Sequence, residues 1–567
     1  MRPEATTAQT IARRDPAVVM RLSRLGSFHQ SRLSFMRILT RRMTRENWTF
    51  SRPVFAFDAR GVGHAVYCAH TPDRTYSLIA FGHDLPPEDR SDRVIATRWD
   101  STFTLFDGVP DAADIARLRK NIPLQEAGRV SAKELSVSRA NRSVRLWDHV
   151  VSCLAAGEQP AQAEVDRVGY LMRTTAVYGS GKLGAADREM IADRPECAAP
   201  FQIEMLSVFL TRNYVRDLVQ HMASLKGGAA TVTLDAEIAR SLGIGNSTGL
   251  GMAPFLINHP MLLNNWIAAR EEAIAIVRNL PRANPAEAQT FRALLGRARV
   301  SAERWQSAHP LQINKLRQLR GDLRALADHV AQADLRTGHP WDRLYRWAED
   351  TLGEDAQECL ASLLMEPYGA LVDPLADRMS DQNSAAFRID GTMRVGELRA
   401  ILARAYGWAL DTDWTQQQHC ARAWYVSAEK LEPRLGERFE EPIAPYEQPL
   451  APGRDAAALA GALQSMDGDA PLAGFLLAHP EHRHSVRRAQ IVARAPYAEI
   501  RDNTIGSELM PIDMLRCKLS FFGATHFDPR SDRWVRICMF GNAPYPEELA
   551  GTQADDWSYP PAHEAGA

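Results

Sequence analysis

The chain has very little lysine. Only seven of its 67 basic residues are lysine, at 120, 133, 182, 226, 315, 430 and 518, and arginine supplies the rest. The preference reads as the codon bias expected of a GC-rich, bacterial genome, and it draws attention to the survivors. Where chemistry requires a compact ammonium or an amine that can lose its proton, the planar, permanently charged guanidinium is no substitute. Cysteine is equally sparse. The seven cysteines, at 68, 153, 197, 359, 420, 517 and 538, are odd in number and contain no Cys-x-x-Cys pair. That pattern excludes a disulfide framework and a cysteine-rich zinc site, and fits reduced thiols. No apolar run approaches the roughly 20 residues that span a bilayer, and no signal-type apolar stretch follows the start. Excess charge of one sign is missing too. A formal net charge of −2 argues against a nucleic-acid partner spread over the whole surface. Aromatic and basic residues do not interleave as in single-strand binders. There is no dinucleotide fingerprint, calcium loop or kinase signature, so no cofactor is indicated, and there is no solenoid repeat.

What is present is ordinary globular composition. Of 567 residues, 45% are hydrophobic and 24% charged. At roughly 100–200 residues per domain the length corresponds to about three domains. The expectation is a soluble, cytoplasmic, multidomain α+β protein, mostly helical, with homo-oligomerisation left open.

Periodicity divides the chain. Residues 1–46 are rich in arginine and poor in acids, with Val18, Leu22, Leu25, Leu33, Met36 and Leu39 at helical spacing, which predicts basic amphipathic helices. Such a segment packs on the protein's own acidic surface, serves as a transit peptide, or meets an anionic ligand or partner. Residues 47–110 alternate around Gly61 and Gly63 and again over Thr75–Phe81 and Val94–Phe106, which predicts an antiparallel meander. Residues 111–375 read as a helical domain, with helices over Phe201–Leu225, Pro260–Leu280, Pro285–Ser307, Leu311–Ala333 and Trp341–Met365. Two glycine-rich breaks, Tyr178–Gly184 and Gly243–Gly251, interrupt it. Leu371–Ala386 reads as a linker. Residues 387–550 read as a C-terminal α+β domain, with a helix over Val395–Tyr406, five prolines in the extended stretch Pro433–Pro452, and paired strands at Leu519–Phe522 and Arg533–Phe540. Residues 551–567 form a polar tail.

Five segments carry chemically suggestive residues. In Arg173-Thr-Thr-Ala-Val-Tyr178-Gly-Ser180-Gly-Lys182-Leu-Gly184, free backbone amides and an ammonium suit an anion. The spacing misses a nucleotide-binding P-loop, because Ala176 stands where its first glycine belongs and Leu183 replaces the magnesium-binding hydroxyl. A structural glycine turn is the competing reading. Gly245-Asn246-Ser247-Thr248-Gly249 has the form Gly-x-Ser-x-Gly. A hydrolase elbow needs a strand before the serine and a helix after it, whereas Ala236–Leu242 reads as helical and more glycine follows. Asn258-His259-Pro260, followed by Asn264 and Asn265, offers an imidazole close in sequence to that loop, or a simple helix cap. His479, His482 and His484 invite a metal, but Arg483, Arg487 and Arg488 add positive charge among them, so no metal site is expected. Arg139, Arg142 and Arg145, read on a helix, form a row that clamps a carboxylate or phosphate, or a solvated face.

Taken together, the helical middle is expected to hold a pocket for a small anionic, carboxylate-bearing substrate, in a lyase or hydrolase. His259 would transfer the proton, with Ser247 and Lys182 as its catalytic partners. Arg173, Tyr178, Ser180, Asn246, Thr248 and Asn264 would bind substrate. Two other classes stay in view. One is an oxidoreductase whose cofactor site has no readable motif. The other is a non-catalytic interaction or scaffold protein that uses the basic N-terminal helix.

Overall fold

The computed structural model describes residues 11–89, 98–121, 131–174, 191, 193–246, 260–305, 310–379, 387–416, 424–426, 431–433, 448–450, 452–502, 513, 516–524, 526–529, 535–550 and 557. The chain is mixed α+β. Four strands open it, Thr49–Phe57 (β1), Gly63–His70 (β2), Thr75–Gly82 (β3) and Ser101–Asp107 (β4), paired antiparallel in sequence order. The first turn is set by Asp58, whose carboxylate accepts from the amides of Arg60 and Val62, both at 2.9 Å, while Gly61 takes φ +79°. Glu134–Arg142 (β5) and Tyr170–Thr174 (β6) continue the antiparallel order. Gly243–Asn246 (β7) then runs parallel to β6. A small separate sheet contains Trp424–Val426 (β8), Leu431–Pro433 (β9) and Gln448–Leu450 (β10), and late in the chain come His526–Pro529 (β11) and Val535–Met539 (β12). The main sheet is nine-stranded, in the order β1-β2-β3-β4-β5-β6-β7-β12-β11. Every pairing in it other than β6–β7 is antiparallel among the described residues.

The helices used below are Phe35–Arg45 (α1), Ala112–Asn121 (α2), Gln202–Gly227 (α3), Pro260–Arg278 (α4), Pro285–Arg304 (α5), Pro310–Gln332 (α6), Pro340–Thr351 (α7), Glu354–Leu364 (α8), Val395–Leu410 (α9), Pro452–Leu463 (α10), Leu472–Ala478 (α11) and Arg483–Arg494 (α12). A parallel strand pair needs a crossover, and α3 supplies it between β6 and β7. It lies on one face of the sheet, where Tyr214 packs among Phe57, Tyr67 and Phe103. On the opposite face α2 covers Val66, Cys68, Ile79, Phe81 and Phe106 through Leu118. β2 and β3 are therefore buried on both sides, and their near-continuous apolar sequence follows from that. α5 starts where the chain codes for it. Asn284 and Glu287 form a reciprocal cap and Pro285 takes the first helical position. Residues of α9 to α12, including Leu398, Leu459, Phe475 and Ile491, make a second, separate core. No helix among the described residues is long and apolar enough to cross a membrane.

Several sequence-based expectations need correction. The stretch 111–375, read as helical, contributes β5, β6 and β7. Arg139–Arg145 is not a helix row, because Glu134–Arg142 is a strand. Trp341–Met365 is two helices, broken at Leu352-Gly353, where the Gly353 amide donates to Asp322 at 2.9 Å. Leu519–Phe522 lies in a π-helical turn, Lys518–Phe522, ended by Gly523 at φ +94°, so β12 pairs instead with His526–Pro529. A short apolar run carries no period that separates strand from helix.

Several N-terminal arginines pair with the protein's own carboxylates, and Arg14 and Arg37 are buried in doing so, while the side chains of Arg13 and Arg45 stay 44% and 66% exposed. Arg14, 8% exposed, bridges Glu271 of α4 (2.7 Å) and Glu358 of α8 (2.8 Å). Arg37 of α1 grips both oxygens of Glu366 at 2.6 and 2.8 Å, and Arg32 does the same to Asp373 at 2.7 and 2.8 Å. These charges bind residues 11–45 to the helical layer. Burial alone would raise the Glu366 carboxyl, but Arg37 and His29 outweigh it and hold that group well below its usual range. Because the folded value is depressed, the pair contributes stability above the ordinary carboxylate pKa and loses it as the pH falls through the folded value. Glu366→Gln is expected to cost about 3–5 kcal/mol at pH 7, since it leaves Arg37 buried without its counter-charge. In urea unfolding the gap from the parent should narrow as the pH drops below 4.5. Equal stability at pH 7 would contradict this.

Candidate functional site

The parallel register aligns Tyr170 with Gly243, Arg173 with Gly245, and Thr174 with Asn246. The strands β6, which precedes Tyr178–Gly184, and β7, which forms the first four residues of Gly243–Gly251, therefore lie side by side and end together, at Thr174 and Asn246. In sheets with parallel strands, ligands characteristically bind at the carboxyl ends of those strands.

Three contacts place β7. Arg212 of α3, 2% exposed, donates to the carbonyls of Leu242, Arg240 and Ala543, each at 2.8 Å, and stacks 3.9 Å from the Tyr545 ring centre. The Cys538 thiol of β12 donates to the Gly169 carbonyl at 2.9 Å, and burial pushes its pKa up to about 12, so it stays a donor. The strand's own glycines are the third. A Cβ at Gly243 would stand 2.3 Å from the Met539 carbonyl oxygen, and one at Gly245 would stand 2.6 Å from the Tyr170 ring. These two glycines thus serve close strand and ring packing. The glycine loop read from 243 onward starts as a strand, and Ser247 directly follows it. Ala236–Ser241 is helical, as the sequence reading has it, and the four-residue strand β7 lies between that helix and position 247; residues 247–259 lie outside the described residues.

Lys182, Tyr178, Ser180, Ser247, Thr248 and His259 lie outside the described residues. Asn246 ends β7. Arg173 is 3% exposed on β6. Asn264 sits near the start of α4. Its carbonyl accepts from the Tyr497 amide at 3.1 Å and its NH2 donates to Asn265 at 3.3 Å, so it ties α4 to a distant segment.

The arginines of 139–145 are distributed by strand alternation. Arg142 lies 4.8 Å from the Trp147 ring centre and 3.7 Å from Asp100. Arg139 faces the other side, 4.5 Å from the Trp99 ring centre. Arg145, just past the strand, donates to the Tyr170 hydroxyl at 3.3 Å. His479 hydrogen-bonds Glu481 at 3.2 Å and His482 stacks on Phe475 with ring centres 5.8 Å apart. Among the described residues, no group of three or more histidine, cysteine, aspartate or glutamate side chains could hold a metal ion.

Comparison with protein-family models, curated proteins and solved structures returned no match. The site is therefore read from its own geometry.

Sequence reasoning passed over Lys518. It is fully buried in the π-helical turn, 5.7 Å from the Phe522 ring centre. Burial pushes its ammonium well below the usual value. The scarcity of lysine was the signal that could have found it. In the pH window between its lowered folded value and 10.5, the unfolded chain binds a proton that the folded chain does not, so stability rises with pH. Lys518→Met should therefore raise the melting temperature at pH 7, with the advantage shrinking as the pH approaches 10.5. A lower melting temperature at pH 7 would refute this.

Proposed function

We propose that the chain is an enzyme of small-molecule metabolism, a lyase or hydrolase acting in the cytoplasm on a small carboxylate-bearing substrate bound where β6 and β7 end. The observation that supports this reading is the parallel register, which ends β6 and β7 side by side with Arg173 beside Gly245. In this reading Arg173 and Lys182 hold the carboxylate, Tyr178, Ser180 and Thr248 add hydrogen bonds, and Asn246 and Ser247 donate to developing oxyanion charge. His259 moves the proton. Asn264 contributes by fixing the start of α4. Scaffolding through the basic N-terminal helix is less well supported, because Arg14, Arg32 and Arg37 are already engaged inside the molecule.

The test begins with denaturing the purified protein and identifying any retained metabolite by mass spectrometry; a bound flavin or haem would redirect the reading to an oxidoreductase. With that metabolite as ligand, Lys182→Ala and Arg173→Met should each weaken binding about ten- to a hundredfold, the worth of one charge-assisted hydrogen bond of roughly 1.5–3 kcal/mol. Lys182→Arg should restore little. His259→Asn should preserve binding and abolish turnover. Unchanged affinity in both Lys182→Ala and Arg173→Met would remove the reading's basis.

A further inference from the structure

A cavity of about 560 Å³ lies where the N-terminal segment meets α4 and α7. That volume is within the roughly 300–1,000 Å³ usual for small-molecule sites. Arg278, the last residue of α4, lines it together with Arg346 and Glu349 of α7. Asp342, Arg346 and Glu349 are spaced by four and three residues and so share one face of that helix. The Asp342 carboxylate holds both arginines. Arg278 donates to its Oδ1 through Nε at 3.0 Å and Nη2 at 2.7 Å, and stacks 4.1 Å from the Tyr345 ring centre. Arg346 reaches Oδ2 through Nε at 2.8 Å. Nη1 of Arg278 and both Nη groups of Arg346 are left without an acceptor among the described residues. Glu349 lines the same cavity, yet its carboxylate has no ion pair or hydrogen bond among the described residues. Another wall offers backbone. Asn279 exchanges two hydrogen bonds with the Ile11 main chain, at 2.8 and 2.9 Å, and the Tyr497 hydroxyl donates to the Arg14 carbonyl at 2.6 Å. Between these anchors the amides and carbonyls of Ala12 and Arg13 make no hydrogen bond among the described residues. Ile11 and Val18 add apolar surface.

We infer that this cavity binds a short peptide with free termini. Its carboxylate takes the spare N–H groups of Arg278 and Arg346. Its ammonium pairs with Glu349, and its main chain bonds along Ala12 and Arg13, as extended peptides do on exposed backbone. A simple anion would satisfy the arginines while bringing like charge beside Glu349. A molecule that carries both charges satisfies both walls. The inference goes beyond the proposed function and uses none of its residues.

Calorimetric titration of the full chain with leucyl-leucine, its C-terminal amide, its N-acetyl derivative and acetate tests it. Leucyl-leucine should bind saturably. Amidation should weaken it about tenfold, the worth of a charge-assisted hydrogen bond. N-acetylation should weaken it about threefold, since Glu349 is exposed and its charge is screened. Arg346→Gln should erase most of the difference between leucyl-leucine and its amide while keeping the penalty for N-acetylation. Glu349→Gln should do the reverse. The Arg346 side chain is 67% exposed and Glu349 is exposed too, so both variants should fold, with circular dichroism as the check. Binding indifferent to the blocked termini, or unchanged in both variants, overturns the inference. Acetate bound as tightly as leucyl-leucine overturns it as well, since a simple anion would then suffice, and so does the absence of saturable binding in the millimolar range. None of these outcomes bears on the proposed function, whose test runs through Arg173 and Lys182.

Discussion

A parallel strand pair set in an otherwise antiparallel sheet is the constraint on which the rest of this molecule depends. β6 and β7 cannot be joined by a hairpin, so the chain must leave the sheet, cross its face and return. The 26-residue helix α3 is that crossing, and it doubles as the main cover of the meander. β7 itself is only four residues long, Gly-Ile-Gly-Asn, and has little side-chain surface with which to define its place. Its position is dictated from outside, by the Arg212 fork on three carbonyls, by the Cys538 thiol, and by glycines that let β12 and the Tyr170 ring come close. At the end so formed, Thr174 and Asn246 lie side by side.

The segment after β7 is fixed at its far end by a different interaction. α4 starts at Pro260, and its midpoint is clamped through Glu271, which is wholly buried between Arg14 and Arg270. Burial would raise that carboxyl, and the two guanidinium groups overcome this and lower it. Trp266, one turn earlier, packs edge-on against Phe521 at 3.8 Å. The basic N-terminal segment therefore takes part in placing α4, with Arg14, Arg32 and Arg37 engaged inside the molecule. Buried pairs of this kind add little net stability compared with apolar packing, yet are costly to break singly. Their effect is to make the docking of residues 11–45 specific.

Much of the fold was legible because burial leaves a period. β1 to β4 alternate or run apolar between turn residues, and α3, α5 and α6 were found within a few residues of their ends by spacing and by proline at the first turn. Three things were not legible. Gly243–Asn246 has no side-chain pattern, since its glycines answer to neighbours distant in sequence. Leu519–Phe522 is too short for its period to be read. The helical spacing of Arg139, Arg142 and Arg145 was accidental, because in Glu134–Arg142 the backbone is paired on both sides. Of the candidate site, Arg173 and Asn246 lie at adjacent strand ends by the register, and the attention given to scarce lysines did not single out Lys518.

The central claim is that the carboxyl end of the β6–β7 pair is an anion-binding edge. A crystal soaked in iodide and measured at its anomalous signal tests it most directly, since the halide seeks cationic, partly desolvated sites and marks itself. The account predicts a strong peak in contact with the Arg173 guanidinium, with Lys182 and His259 on the same side of the sheet and within side-chain reach of it. Peaks confined to other surfaces, with Lys182 and His259 on opposite faces, would contradict it.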